Sequence, residues 1–123
     1  MSARLVIADD SPTILALVTL AITKDGYAPV TATNGGEALD AIREHRPELV
    51  ILDAQMPVLS GYEVCRALRE DVDAPRPHVI MLSAGANEAD KALAREAGID
   101  EFVTKPFSPA TLRERVREIL GEP

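Results

Sequence analysis

A chain of 123 residues with a formal charge of −7 is long enough for one domain around a single core. It is too acidic to favour direct binding to nucleic acid or an anionic membrane. Apolar residues make up 46% and charged residues 27%, which excludes a disordered chain.

The first apolar run, Leu5-Val6-Ile7-Ala8, is continuous rather than alternating. That is what a parallel strand requires when helices cover both faces of its sheet. Ser11-Pro12 follows as an N-cap with proline at the first helical position. In this first helix Ile14, Leu17, Val18, Ala21 and Ile22 have the spacing of a core-facing stripe, leaving Leu15, Ala16, Thr19, Leu20 and Thr23 elsewhere. Gly26 stands where a left-handed C-terminal cap belongs. A weaker strand fits Pro29 to Thr33; Asn34 with Glu37 then has capping-box spacing, and Pro47 closes the second helix. Leu49-Val50-Ile51-Leu52 is the third strand, Ser60 with Glu63 a second capping box, and Val79-Ile80-Met81-Leu82 the fourth strand. A fourth helix begins after Asn87 and ends at Gly98, and a weaker fifth strand fits Glu101 to Thr104. Ser108-Pro109 opens the last helix, with Gly121 at its end. The pattern is (βα)₅: an α/β sandwich with a parallel sheet, expected to occupy residues 1–123 as one domain without an output domain. The longest apolar run, Ile14 to Ile22, is too short to span a bilayer, so no membrane insertion and a cytoplasmic setting are expected.

Right-handed crossovers bring the C-terminal ends of all five strands to one edge of such a sheet, and doubly wound sheets carry their sites at that edge. Asp9-Asp10 ends the first strand, Asp53 the third, Ser83 the fourth, and the fifth runs into Lys105-Pro106. Each has an ordinary reading alone. An acidic pair suits a helix N-terminus, Asp is a common turn residue, Ser a common cap and Lys a solvated charge. Together they are complementary. Three carboxylates repel unless a cation intervenes, and Mg²⁺ takes one or two carboxylates plus water and phosphate oxygens. A carboxylate is a competent nucleophile toward phosphorus, and phosphoryl transfer needs positioning and charge stabilisation above all. A lysine can neutralise one phosphoryl oxygen, and a serine hydroxyl can donate to another.

These residues sit within longer matching segments: Ala8-Asp9-Asp10-Ser11, Asp53-Ala54-Gln55-Met56-Pro57 followed by Gly61-Tyr62-Glu63, Leu82-Ser83-Ala84, and Ala97-Gly98-Ile99-Asp100-Glu101-Phe102 running into Lys105-Pro106-Phe107. In order and spacing the chain resembles the receiver domains of two-component response regulators along nearly its whole length. The resemblance implies a flavodoxin-like (βα)₅ fold with strand order 2-1-3-4-5. It implies Asp53 as phosphoacceptor, with Asp10, Asp53 and the backbone carbonyl of Gln55 on Mg²⁺ and Asp9 acting through a bound water. Ser83 matches the hydroxyl residue that moves toward the phosphoryl group, and Phe102 the aromatic that rotates with it. Lys105 matches the family's lysine, with a cis bond to Pro106. The implied phosphodonor is a sensor histidine kinase or a phosphotransfer protein. The implied reporting face is α4-β5-α5, through homodimerisation or an output element. Such a domain promotes its own phosphorylation and dephosphorylation but turns over no substrate.

Other readings fit less well. A phosphatase of the haloacid dehalogenase type wants an Asp where Gln55 stands, and no glycine-rich phosphate loop follows the first strand. A degenerate receiver serving only for docking would not need the full set Asp9, Asp10, Asp53, Ser83 and Lys105. The single Cys65 excludes an intrachain disulfide and reads as a small buried or half-buried thiol on a helix. His45 and His78 lack a second metal ligand at recognisable spacing. The apolar outer positions of the first helix, Leu15 and Leu20, fit either a docking patch or scattered surface residues.

Overall fold

The computed structural model of the protein describes residues 4–85 and 87–122. Five β-strands alternate with five α-helices: β1 (Leu5–Ala8), α1 (Pro12–Thr23), β2 (Val30–Ala32), α2 (Gly35–His45), β3 (Leu49–Asp53), α3 (Gly61–Glu70), β4 (His78–Ser83), α4 (Glu88–Ala97), β5 (Glu101–Thr104) and α5 (Pro109–Leu120). All strand pairs are parallel, in the order β2-β1-β3-β4-β5. This is the flavodoxin-like order implied by the resemblance.

The continuous apolar runs split by alternation into two cores. Leu5, Ile7, Leu49, Ile51, Ile80 and Leu82 pack beneath α1 and α5 with Val18, Ile22, Leu112 and Val116. Val6, Ala8, Val50, Leu52 and Val79 pack on the opposite face with Ala38, Ile42, Val64, Cys65, Leu68 and Ala97 from α2, α3 and α4. β1, β3 and most of β4 are therefore buried on both faces, which is why their sequences do not alternate. Among the described residues no helix is long and apolar enough to cross a membrane.

The structure corrects the stripe of α1. Leu15 packs against the core, whereas Leu17 is 45% exposed. Val18 and Ile22 set the buried line, and at 100° per residue Leu17 lies roughly 120° round the helix from it. Leu17 instead borders a shallow groove with Ile14, Lys105, Pro106 and Phe107. Leu20, 63% exposed, lies outside the core.

Helix ends follow the expected devices in part. Ser11, Asn34, Ser60, Asn87 and Ser108 all accept hydrogen bonds as N-caps. Ser60 and Glu63 form a complete capping box. Glu37 does not close the one begun by Asn34: it accepts from the amide and hydroxyl of Thr33, one residue earlier. Gly98 caps α4 in the left-handed conformation. Gly121 has positive φ but a ψ of −147°, outside the left-handed helical well. The left-handed cap of α2 is Arg46, just before Pro47. The far end of α5 is held by Arg4, whose guanidinium donates to the carbonyls of Leu120 and Glu122 and pairs with Glu48. Tyr27 adds a hydrogen bond to the Gly121 carbonyl. Asp25, beyond α1, takes both arms of the Arg113 guanidinium and ties α1 to α5.

The segment after β3 is seated on the start of α2. The Gly35 amide donates to the Pro57 carbonyl at 3.1 Å, and a Cβ on Gly35 would overlap the Leu59 carbonyl oxygen. Gly35→Ala is therefore expected to lower stability by about 2–3 kcal/mol through overpacking, read as a shift in the urea midpoint. Gly36→Ala is the control. Its nearest neighbour would be Val58 Cγ1 at 3.1 Å, and a gain in helix propensity of about 1 kcal/mol offsets the tightness.

Candidate functional site

The crevice forms where the strands end. Asp9 follows β1 and is drawn into the sheet by its amide, which donates to the Ala32 carbonyl at 3.2 Å. Its Oδ1 accepts the Ser11 amide at 2.9 Å, an Asx turn that leads into α1. Its Oδ2 is buried and has no hydrogen-bond partner; the nearest cation is Lys105 Nζ at 3.6 Å. Asp10, the next residue, is exposed. Asp53, the last residue of β3, is only 5% exposed and receives Lys105 Nζ on Oδ1 at 2.9 Å. One carboxylate oxygen each from Asp9, Asp10 and Asp53 fall within 4.8 Å of one another.

Ser83, the buried last residue of β4, accepts the Gly85 amide on Oγ at 3.2 Å. Its carbonyl accepts the Lys105 amide at 2.7 Å, placing the lysine beside the acidic cluster. The Lys105–Pro106 bond is cis. Gln55 is exposed, two residues beyond Asp53. Phe102, on β5, is half-buried and borders a groove of about 360 Å³ with Lys91, Ala94, Arg95 and Ile99, on the α4–β5 side. The structure thus joins Asp9, Asp10, Asp53 and Lys105 in one cluster, sets Ser83 at the neighbouring strand end and leaves Phe102 on the lateral face.

Burial pushes the Asp53 carboxyl up to about 6; the Lys105 hydrogen bond and charge pull it down, and the Asp9 charge pushes it further up. Burial pulls the Lys105 ammonium down, but its contacts with Asp53 and Asp9 prevail, and its net shift is upward. The cluster thus has more negative charge than one lysine balances. Burial pushes the Cys65 thiol to about 11, so it supplies no thiolate nucleophile at neutral pH.

The backbone after Asp53 is tightly held. The Gly61 amide donates to the Ala54 carbonyl at 3.0 Å, and a Cβ on Gly61 would run into the Asp53 carbonyl oxygen. Between them Leu59 donates back to Pro57 at 2.9 Å, a γ-turn that forces Val58 to φ 73° with its side chain 77% exposed. A β-branched residue there is strained. The strain sits five residues from Asp53, on the segment that shapes the crevice.

Several interactions escape a reading of the sequence. His78 pairs with Glu101 at 3.0 Å, and Arg115 pairs with the same carboxylate, joining β4, β5 and α5. Arg69 spans the Gly98 carbonyl and Asp100, while Asp100 accepts the Val79 amide. These partners are 14 to 31 residues apart in the chain, too far for local spacing to reveal them.

Comparison with known proteins agrees with the geometry. The family model for the response regulator receiver domain matches residues 5–117. The probable transcriptional regulator ycf27 of Porphyra purpurea is 41% identical over 117 residues, covering 95% of this chain and 47% of that protein. The DNA-binding response regulator MtrA of Mycolicibacterium smegmatis is 38% identical over 120 residues, covering 98% of this chain and 51% of that protein. The chain therefore spans about half the length of these curated relatives. Among solved structures, the chemotaxis protein CheY4 of Vibrio cholerae superimposes with a TM-score of 0.86 at 29% identity, covering 98% of this chain and 100% of that one. Sequence, strand order and relatives agree, and the chain belongs to the response-regulator receiver-domain family of two-component signalling.

Proposed function

We propose that this domain is a Mg²⁺-dependent phosphorylation switch in which Asp53 accepts a phosphoryl group from the phosphohistidine of a sensor kinase or phosphotransfer protein. The observation that carries the reading is the buried Asp9 Oδ2, without a hydrogen-bond partner, beside the carboxylates of Asp10 and Asp53. An orphaned buried acceptor among like charges suits a hard divalent cation. Asp10, Asp53 and the Gln55 carbonyl would hold the ion, with Asp9 acting through water. Bound there, Mg²⁺ supplies charge neutralisation for the incoming phosphoryl oxygens.

An Asp53 oxygen forms the new O–P bond as the P–N bond of the donor breaks and the imidazole leaves with the electron pair. Lys105, already on Oδ1 of Asp53, orients the carboxylate and then neutralises a phosphoryl oxygen. Ser83 donates a hydrogen bond to another, and its movement toward Asp53 releases Phe102 to rotate. Phosphorylation adds charge and strong acceptors at one point and biases a two-state equilibrium. The altered face is α4-β5-α5, which engages a second copy of the chain or another output partner in the cytoplasm. The domain is a signalling element, not an enzyme with a substrate of its own.

The test is intact mass after incubation with acetyl phosphate, with and without Mg²⁺, for wild type and Asp53→Asn. One hydroxylamine-labile phosphoryl group that needs both Mg²⁺ and Asp53 is expected. Labelling that persists in Asp53→Asn, or a folded wild type that never labels, overturns the assignment.

A further inference from the structure

The loop from β3 to α3 holds a shape that its own residues do not favour. Val58 stands at φ 73°, and such strain at a β-branched residue persists only where neighbouring structure imposes it. Two neighbours do so. One is α3, whose Gly61 amide donates to the Ala54 carbonyl at 3.0 Å and closes the loop at its base. The other is the start of α2, an element that carries none of the proposed site residues. Gly35 opens that helix, so its amide is among the four that a helix leaves without an internal partner. It donates instead to the Pro57 carbonyl at 3.1 Å. The same carbonyl accepts the Leu59 amide at 2.9 Å, so both of its lone pairs are used and its direction is fixed from two sides. The fit leaves no room for a side chain at Gly35, because the Leu59 carbonyl fills the place of a Cβ. Val58 Cγ1 leans on the next residue, Gly36, 3.1 Å from where its Cβ would stand.

We infer that Gly35 is a positioning residue for the divalent cation: its backbone braces Pro57, and through Pro57 the stretch of loop that presents the Gln55 carbonyl. Asp53 is placed by its strand and Asp10 by the residue before it, which the sheet holds. Gln55 lies beyond the end of β3 and two residues before Pro57, so its carbonyl takes its direction from the loop. Partners that orient a metal ligand change metal affinity by roughly 10–100-fold when lost. Gly35 acts one step further out, and its loss belongs at the lower end of that range. Coupling is reciprocal: if the brace favours the cation, the cation must hold the Gly35–Pro57 bond closed. This inference rests on the Mg²⁺ reading above and adds α2 to the elements that the ion senses.

The experiment is Mg²⁺ titration calorimetry on wild type, Gly35→Ala and Val116→Ala. Val116 is buried beneath α5, on the opposite face of the sheet from α2 and α3, and its truncation controls for general loosening. Gly35→Ala is expected to weaken Mg²⁺ binding about ten-fold, and Val116→Ala to stay within about two-fold of wild type. Amide hydrogen exchange on wild type is a second readout that needs no variant and decides alone if Gly35→Ala does not fold. Saturating Mg²⁺ is expected to slow exchange at the Gly35 amide about ten-fold more than at the Glu37 amide, which bonds to Asn34 within the same helix start. Unweakened binding by a folded Gly35→Ala, equal weakening by both variants, or equal slowing at the two amides overturns the brace and leaves the cation reading standing. A folded wild type that takes up no Mg²⁺ overturns both.

Discussion

Asp53→Asn is expected to unfold at a higher urea concentration than wild type at pH 7.5 without divalent ions, and to lose that advantage at pH 4. The Asp53 carboxyl is pushed from its ordinary value of 3.8 to about 6, chiefly by burial. A raised carboxyl means that the folded state binds the proton more tightly than the unfolded chain. Its stabilising contribution is complete below pH 3.8 and is lost as the pH rises through about 6. The loss for the ionised wild type is on the order of 3 kcal/mol at about 1.36 kcal/mol per pH unit. Asparagine carries no charge into the buried site and escapes that penalty, which is already net of the Lys105 contact, so the gain expected well above pH 6 is on the order of 3 kcal/mol. Adding Mg²⁺ at pH 7.5 should raise the wild-type midpoint more than that of the variant, because the ion binds the folded state through the charge that burial penalises. A variant no more stable than wild type at pH 7.5, or more stable by the same amount at pH 4, would show that the crowded charge in the crevice is already relieved within the protein.

Leu52→Ala should cost about 3–4 kcal/mol. Leu52 is fully buried, in the central strand, between Ala8 of β1 and Met81 of β4 in the register of the sheet. Truncating it removes the transfer free energy of the lost carbons and leaves a cavity that two neighbouring strands cannot collapse to fill. Against a typical domain stability of about 5–15 kcal/mol, that is a large fraction of the whole. Leu20→Ala, on an exposed leucine of α1, should fall within about 0.5 kcal/mol of wild type. Urea unfolding of the two variants compares them directly. A small effect at Leu52 would mean that the sheet centre repacks. Asp53, the next residue, would then rest on a more pliable floor than the burial of its strand indicates.

Much of this architecture is legible along the chain because its determinants are local. Continuous apolar runs at β1, β3 and β4 follow from burial on both faces. Serine or asparagine caps mark where all five helices begin. The site is legible for a related reason: a parallel sheet gathers its strand ends on one edge, so polar residues that follow apolar runs meet there. What escaped depends on angles and long-range partners. Leu15 and Leu17 both fit a helical stripe, and only the position of the sheet decides that Leu15 turns inward. Arg46 takes a left-handed cap usually given to glycine, because Pro47 immediately after it disfavours further helix. Glu37 has two nearby amides to choose from and bonds Thr33.

The clamp of Arg4 on the end of α5 has a practical consequence. Its guanidinium reaches the Glu122 carbonyl at 2.7 Å, so the first and last described stretches of the chain meet. They meet at the rim opposite the acidic crevice, because α5 runs about 18 Å back along the sheet from the Lys105 end. An immobilising tag, a fused reporter or a short bridge closing the backbone into a ring would all attach at that rim. Each would leave the mouth around Asp53 open to a docking protein.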